Sequence, residues 1–207
     1  MAELLDKVAG LPAIAGVILA AGDSSRFGAP KQLQPWGRGT CLEACIRTAE
    51  TAGLDPLVVV LGDHFEEIQA RTHFGRALVV HNPDWKNGQG TSLKAGITAL
   101  PQECFGAVFL LADQPQLSVQ LVSAVKELAW QKDAVVLPII GDRRANPVFF
   151  PKRAFPRLME LQGDQGGRAI LGEFPAVQLP WLDEDMALDI DTREDYERLY
   201  RIFFSKP

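Results

Sequence analysis

Gly16-Val-Ile-Leu-Ala-Ala-Gly22-Asp-Ser-Ser-Arg26-Phe-Gly28-Ala-Pro-Lys31 decides how the rest of the chain is read. Val17 to Ala21 is a short apolar run with the length and bounding of a buried strand. At Gly22 it breaks into a polar, glycine-bearing loop that carries Ser24, Ser25, Arg26 and Lys31. A strand ending in such a loop offers backbone N–H groups at a sheet edge with two cations beside them. Amide donors, a hydroxyl or two and counter-charge are what a di- or triphosphate requires.

The spacing excludes two familiar phosphate binders. A P-loop needs four residues between its glycines and a Gly-Lys-Ser/Thr ending, whereas five residues separate Gly22 from Gly28 and Lys31 follows Ala29-Pro30. Gly-x-Gly-x-x-Gly, the dinucleotide fingerprint, is also missing from the stretch. An ordinary strand-to-loop turn with surface charges remains a reading of the residues alone.

Working outward, Pro56–Leu61, Ala77–Val80, Gly106–Ala112 and Ala134–Leu137 repeat the apolar-run pattern. Helical stretches alternate with them: Cys41–Thr51 with Thr40 as cap and Gly53 as stop, His64–Thr72, Thr91–Leu100, and Ser118 to about Gln131. Near-continuous apolar strands alternating with helices predict an α/β fold, a Rossmann-like, doubly wound and mostly parallel sheet covered on both faces. Ligands of such sheets sit past the carboxyl ends of the strands, and Gly22, Gly62, Asn82 and Asp113 each stand just there. After Pro138 the regularity weakens into a smaller region: a short strand at Val148–Phe150, a helix from Pro151 to about Leu161, a loop at Gln162–Gly167, another helix from Arg168, a strand at Ala176–Leu179 and a terminal helix capped by Thr192. Residues 1–207 are expected to form one domain, with 1–12 as a surface extension.

Composition bounds the function. Hydrophobic residues at 47% and charged residues at 23% are ordinary globular values. A net charge of −5 argues against a nucleic-acid partner, which demands a basic face, but not against a nucleotide held by a local cationic loop and a metal ion. Cys41, Cys45 and Cys104 lack partners at ligand spacing and read as small buried hydrophobes. His64, His73 and His81 are dispersed and form no catalytic arrangement. No leader or membrane-length run is seen, so a cytoplasmic protein without membrane association is expected.

Three further places carry chemistry. Asp113, just past an apolar strand, is placed either to hold a divalent metal beside phosphates or simply to cap a turn. Asp189 and Asp191 flank Ile190 and would share a face of an extended segment, as a second side of a metal site or as helix-start acids. In Gly88-Gln-Gly90-Thr-Ser92 the glycines let backbone come close to a base edge and Ser92 adds a short polar reach; a loop with a helix start would look the same.

Leu19-Ala-Ala-Gly-x-Ser-x-Arg26-x-Gly28-x-x-Lys31 resembles the signature of the molybdenum-cofactor nucleotidyltransferases, the cytidylyl- and guanylyltransferases that attach a nucleotide to molybdopterin. Leu111-Ala-Asp113-Gln-Pro115, Gly88-Gln-Gly90-Thr-Ser92-Leu-Lys-Ala-Gly96, Gly163-Asp164-Gln-Gly166 with Arg168, and Asp189-Ile-Asp-Thr-x-x-Asp-Tyr196 resemble further motifs of that family in family order, so that the likeness spans about residues 14 to 198. The resemblance implies a nucleotide site of Leu19, Ala20, Ala21, Gly22, Ser24, Arg26, Lys31, Gly62, Asn82, Gly88, Gly90, Ser92 and Asp113. It also implies Mg²⁺ on Asp113 and Asp191, with Asp191 ahead of Asp189, and an acceptor side of Gln114, Pro115, Asn146, Gly163, Asp164 and Gly166. The implied reaction is attack by an acceptor phosphate on the α-phosphorus of CTP or GTP with release of pyrophosphate, Arg26, Lys31 and Asp113 carrying the catalysis. The Ala-Ala-Gly22 run resembles the cytidylyl branch, and a molybdoenzyme or its chaperone would be a partner. Ala145-Asn146 stands where that branch commonly has Gly-His, which keeps open a sugar 1-phosphate or another small phosphorylated acceptor. A non-catalytic nucleotide-binding module or cofactor-insertion chaperone is the reading from another class.

Overall fold

The computed structural model describes residues 12–205. Apart from Pro12, the surface extension expected over 1–12 lies outside the described residues. From the amino end come β1 (Ile14–Ala20), the two-residue hairpin strands β2 (Pro35–Trp36) and β3 (Gly39–Thr40), α1 (Cys41–Thr51), β4 (Leu57–Leu61), α2 (Phe65–Arg71), β5 (Leu78–His81) and α3 (Gln89–Thr98). The second half holds β6 (Gly106–Leu111), α4 (Val119–Lys132), β7 (Val135–Ile140), β8 (Arg143–Arg144), β9 (Val148–Pro151), a four-residue α5 (Phe155–Leu158), β10 (Ala176–Trp181) and α6 (Arg193–Phe204).

The central sheet runs β10-β7-β9-β6-β1-β4-β5, with β8 turned back on β7. β1 pairs in parallel with β4 on one side and β6 on the other, and β4–β5 and β7–β10 are parallel too. β9 is the exception, antiparallel to both β6 and β7. The mostly parallel, doubly wound α/β sheet read from the sequence is therefore present. The region after Pro138 does not stand apart from it: the β8 hairpin returns the chain into the sheet as β9, and β10 closes an edge.

Side chains alternate along each strand, so β1 sends Ile14 and Ile18 to one face and Ala15 and Val17 to the other. The first face is covered by α1 and α4 through Leu42, Ile46, Leu121 and Val125, and the second by α3 and α5 through Leu93, Ile97 and Leu158. α1 and α6 begin with reciprocal caps, Thr40 with Glu43 and Thr192 with Asp195. Ser118 caps α4 through the Leu121 N–H.

Two expected helices shrink. Pro151 does not open one: it pairs with Gly106 as the last residue of β9, and a 3-10 turn at Lys152–Ala154 precedes the short α5. The stretch from Arg168 is a 3-10 turn, Gly167–Glu173, whose Ile170 and Leu171 face the second core. Cys41 and Cys45 are buried as expected; burial first, then the nearby Asp113 carboxylate, pushes the Cys41 thiol up to about 12. Among the described residues no helix is long and apolar enough to cross a membrane.

The chain goes from β1 outward to β4 and β5, then crosses back to β6 on the other flank of β1. The strand order reverses there, and the crevice past the carboxyl ends of β1 and β6 is where such a sheet receives a ligand.

Candidate active site

After β1 the chain folds into a loop held by its own polar groups. The Phe27 and Gly28 N–H groups donate to the Ser24 carbonyl at 2.9 and 3.0 Å. The Ser24 hydroxyl accepts from the Lys31 N–H at 3.2 Å and donates to Gln32 Oε1 at 3.3 Å. Buried Gln32 reaches back to the Ala20 and Gly22 carbonyls at 2.9 and 3.2 Å, fastening the loop to the end of β1. α6 supports the outer side: Phe27 meets Tyr196 edge-on, Trp36 is buried among Tyr196, Tyr200, Phe203 and Phe204, and the Tyr196 hydroxyl donates to the Pro35 carbonyl at 2.7 Å.

This scaffold aims Lys31 across the crevice. Its Nζ donates to Asp113 Oδ2 at 2.8 Å and to the Ile190 carbonyl at 3.0 Å, and stands 3.7 Å from Asp191 Oδ1. Arg26, mostly exposed, pairs with the same Asp191 oxygen at 3.2 Å. The cations past β1 and the acids past β6 and before α6 thus converge on one place. The acidic segment is stitched to the turn after β6: the Ile190 N–H donates to the Asp113 carbonyl at 2.9 Å, Gln114 Nε2 to Asp189 Oδ1 at 2.8 Å, and Gln116 Nε2 to the carbonyls of Leu188 at 2.6 Å and Asp185 at 3.2 Å.

Asp113 Oδ1 is buried and has no hydrogen-bond partner among the described residues, an open acceptor at the centre of this cluster. Burial first, and then the charge of Asp113, pushes Asp189 up to about 6, against the pull of the Gln114 hydrogen bond. Among the described residues no three His, Cys, Asp or Glu side chains gather as a metal cage. A small hard cation does not need one: it takes one or two carboxylates and completes its shell with phosphate oxygens and water, and the unpartnered Oδ1 of Asp113 with Asp191 nearby fits that demand.

A cleft of about 380 Å³ opens over this cluster. Leu19, Ala20, Ala21, Gly22, Lys31 and Asp113 form one wall, and Gly88 and Ser92 belong to the other. Sequence reasoning missed Trp85, Lys86 and Gln89, which complete that second wall, and Gln32 at the base. A second chamber of about 320 Å³ adjoins it, with Asn146, Asp164 and Gly166 from the expected acceptor side, Arg168, and an apolar floor that includes Phe109, Val148 and Phe150. Leu19, Gln89 and Asp164 line both.

The remaining expected residues lie elsewhere. Ser24 organises the loop from behind. Asn82 lines a separate depression beside α3, its amide held by Thr91 Oγ1 (2.9 Å), Ser92 Oγ (3.0 Å) and the Asp84 N–H (3.1 Å), so that it orients the start of α3. A Cβ at Gly62 would lie 2.6 Å from the Ala21 carbonyl oxygen and 2.7 Å from Trp85 Cβ, so the glycine fits where a side chain would not. Gln114 and Pro115 are buried and line neither chamber. Gly88 and Gly90 do permit a close approach, but of the 162–166 loop: the Gly90 N–H donates to the Gly163 carbonyl at 3.0 Å, and a Cβ at Gly88 would lie 2.1 Å from the Gly163 carbonyl carbon.

The MobA-like NTP transferase domain matches residues 16–178. The purine catabolism protein PucB of Bacillus subtilis is 35% identical, covering 92% of this chain and 97% of its own. The nicotine blue oxidoreductase of Paenarthrobacter nicotinovorans is 32% identical over 91% and 97%, and the molybdenum cofactor cytidylyltransferase of Escherichia coli 28% over 90% and 95%. Among solved structures, Rv0371c of Mycobacterium tuberculosis superposes with a TM-score of 0.82 at 30% identity, covering 92% of this chain and 98% of its own. Its complex with manganese gives 0.78 at 28%, covering 91% and 98%. A reversed-order sheet with cations and carboxylates meeting at its crevice, and matches over nearly the whole length, lead to one assignment: the chain belongs to the MobA-like NTP transferase family of nucleotidyltransferases.

Proposed function

We propose that this protein transfers CMP from CTP to a molybdopterin-type acceptor in the cytoplasm, releasing pyrophosphate. The observation that carries the reading is the convergence of Lys31, Asp113, Asp191 and Arg26 at the mouth of one cleft. An acceptor phosphate oxygen forms a bond to the α-phosphorus while the bond from that phosphorus to the pyrophosphate oxygen breaks. The attacking oxygen is already anionic at neutral pH, so alignment and charge neutralisation do most of the work. Lys31 and Arg26 exchange their carboxylate partners for triphosphate oxygens. Asp113 and Asp191 hold Mg²⁺, which when bound supplies charge neutralisation for the triphosphate and the departing pyrophosphate. The manganese complex of Rv0371c supports a divalent ion in this fold.

The acceptor reading draws on the cytidylyltransferase relative and on the second chamber, whose Phe109, Phe150 and Leu93 suit a flat heterocycle while Arg168 suits its phosphate. Asn146 in that chamber favours the second reading, a sugar 1-phosphate or another small phosphorylated metabolite. Pyrophosphate release, measured with CTP or GTP, Mg²⁺ or Mn²⁺, and molybdopterin or sugar 1-phosphates, separates the two. We expect release with CTP and molybdopterin, abolished in a folded Asp113→Ala variant. Release only with a sugar 1-phosphate overturns the acceptor, and unchanged turnover of Asp113→Ala overturns the metal site.

A further inference from the structure

We propose, building on the transferase reading above, that Gln89 is the residue of the seam: its carboxamide donates to the phosphoryl oxygens where donor and acceptor meet. Among the described residues three line both chambers, Leu19, Gln89 and Asp164. Leu19 has no polar side chain, and the Asp164 carboxylate repels phosphate and cannot donate when ionised. Gln89 is therefore the one shared side chain able to donate a hydrogen bond to an anion on either side.

Its surroundings keep it there. Gln89 is the first residue of α3, directly after Gly88, and the start of α3 is tied to the opposite loop by the hydrogen bond from Gly90 to Gly163. That loop continues to Gly166, where a Cβ would lie 2.5 Å from Gln89 Oε1 and 4.0 Å from Nε2. The missing side chain at Gly166 is thus the space the Gln89 carboxamide uses, with its oxygen nearest the glycine and its NH₂ end farther away. A neutral donor suits this place, because two polyanions must come within bonding distance: a carboxylate would add repulsion, whereas an amide stabilises oxygens from both. Lys31 stands on the far wall, and neither it nor Arg26 lines the second chamber.

The test is steady-state kinetics of Gln89→Ala, Gln89→Glu and Gly166→Ala with CTP, Mg²⁺ and molybdopterin, beside calorimetric binding of CTP alone and melting temperatures. Loss of one transition-state donor at a partly solvated seam lowers kcat about 10–100-fold in Gln89→Ala, and more in Gln89→Glu. The CTP dissociation constant changes less than about twofold and the melting temperature stays put, because Gln89 is exposed. Gly166→Ala lowers kcat in the wild-type background and adds little to Gln89→Ala, the coupling expected of two groups sharing one space. Unchanged kcat and KM values in Gln89→Ala overturn the proposal. So does a parallel loss of CTP affinity or a lowered melting temperature, each of which marks another role. If the wild-type protein releases no pyrophosphate with CTP or GTP, the transferase reading fails and this one falls with it.

Discussion

Replacing Gly88 by alanine tests whether the two walls of the cleft are held together as described. Gly88 has φ 100° and ψ 172°, a conformation that side-chain-bearing residues hold only at a cost of about 1–3 kcal/mol. Its Cβ would lie 2.1 Å from the Gly163 carbonyl carbon, 2.3 Å from that oxygen and 2.6 Å from the Asp164 nitrogen, where ordinary contact starts at 3.4 Å. All three atoms are backbone, so no side chain can swing aside and the 162–166 loop must retreat by more than an ångström. Retreat breaks the hydrogen bond from Gly90 to Gly163, about 1 kcal/mol more. The total of about 3 kcal/mol lowers the melting temperature of a chain this size by roughly 6–12 °C. Asp164 moves with the loop, and misplacement on that scale costs about 100-fold in turnover. Gly172→Ala is the control, since its Cβ meets nothing within 4 Å and its backbone is ordinary. Scanning calorimetry and pyrophosphate release on both variants decide the matter. If Gly88→Ala melts and turns over like Gly172→Ala, the glycines do not couple α3 to the acceptor-side loop.

Two other perturbations bear on the charged cluster. Lys31→Met leaves Asp113 with one oxygen already unpartnered and the other bare; a fully buried pair broken this way costs about 3–5 kcal/mol, and with Asp113 one-fifth exposed we expect about 2 kcal/mol. Urea unfolding should show a lower midpoint at constant slope, largely restored when Asp113→Asn is added; an unchanged midpoint for Lys31→Met refutes the pairing. Asp189, raised from 3.8 to about 6, favours the protonated carboxyl in the fold, so its contribution is complete below about pH 4 and is lost as pH rises through 6. In metal-free buffer Asp189→Asn should gain on the wild type across that window, and stability curves that run parallel from pH 4 to 7 refute it.

The sheet was legible wherever a strand is a run of large apolar residues. β4 and β6 fall where their sequences say, and β1 starts at Ile14 rather than Val17 because Ala15 and Gly16 are small, their place being fixed by β6 and by Leu54 and Leu57. The direction of β9 was not legible. Val148–Phe150 reads equally as a parallel or an antiparallel strand, and what turns it is the β8 hairpin, a contact made by only two exposed arginines. The same gap hid the end of the strand at Pro151: a proline after an apolar run suggests a helix start, yet here it pairs with Gly106.

The site divides along a related line. Lys31, Asp113 and Asp191 carry their chemistry in their own side chains, so residue type made them candidates, while the resemblance to the family rather than position alone set the phosphate and metal readings above a turn or a cap. Gln32, Lys86 and Gln89 matter through where they stand: between loop and strand, on a wall, and at a seam. Gln114 and Asn82 show the converse, polar residues in the right motif whose hydrogen bonds turn inward to Asp189 and to the start of α3. The glycines of Gly88-Gln-Gly90 were read as granting a close approach to a base edge; the approach the fold displays is that of Gly163, far along the chain, and no local pattern names a partner at that distance. The crossover from β5 back to β6 makes all these encounters possible, because it opens the crevice between a loop from the start of the chain and an acidic segment from its end. Motifs identify the groups that bear charge; the topology of the sheet determines which of them face one another.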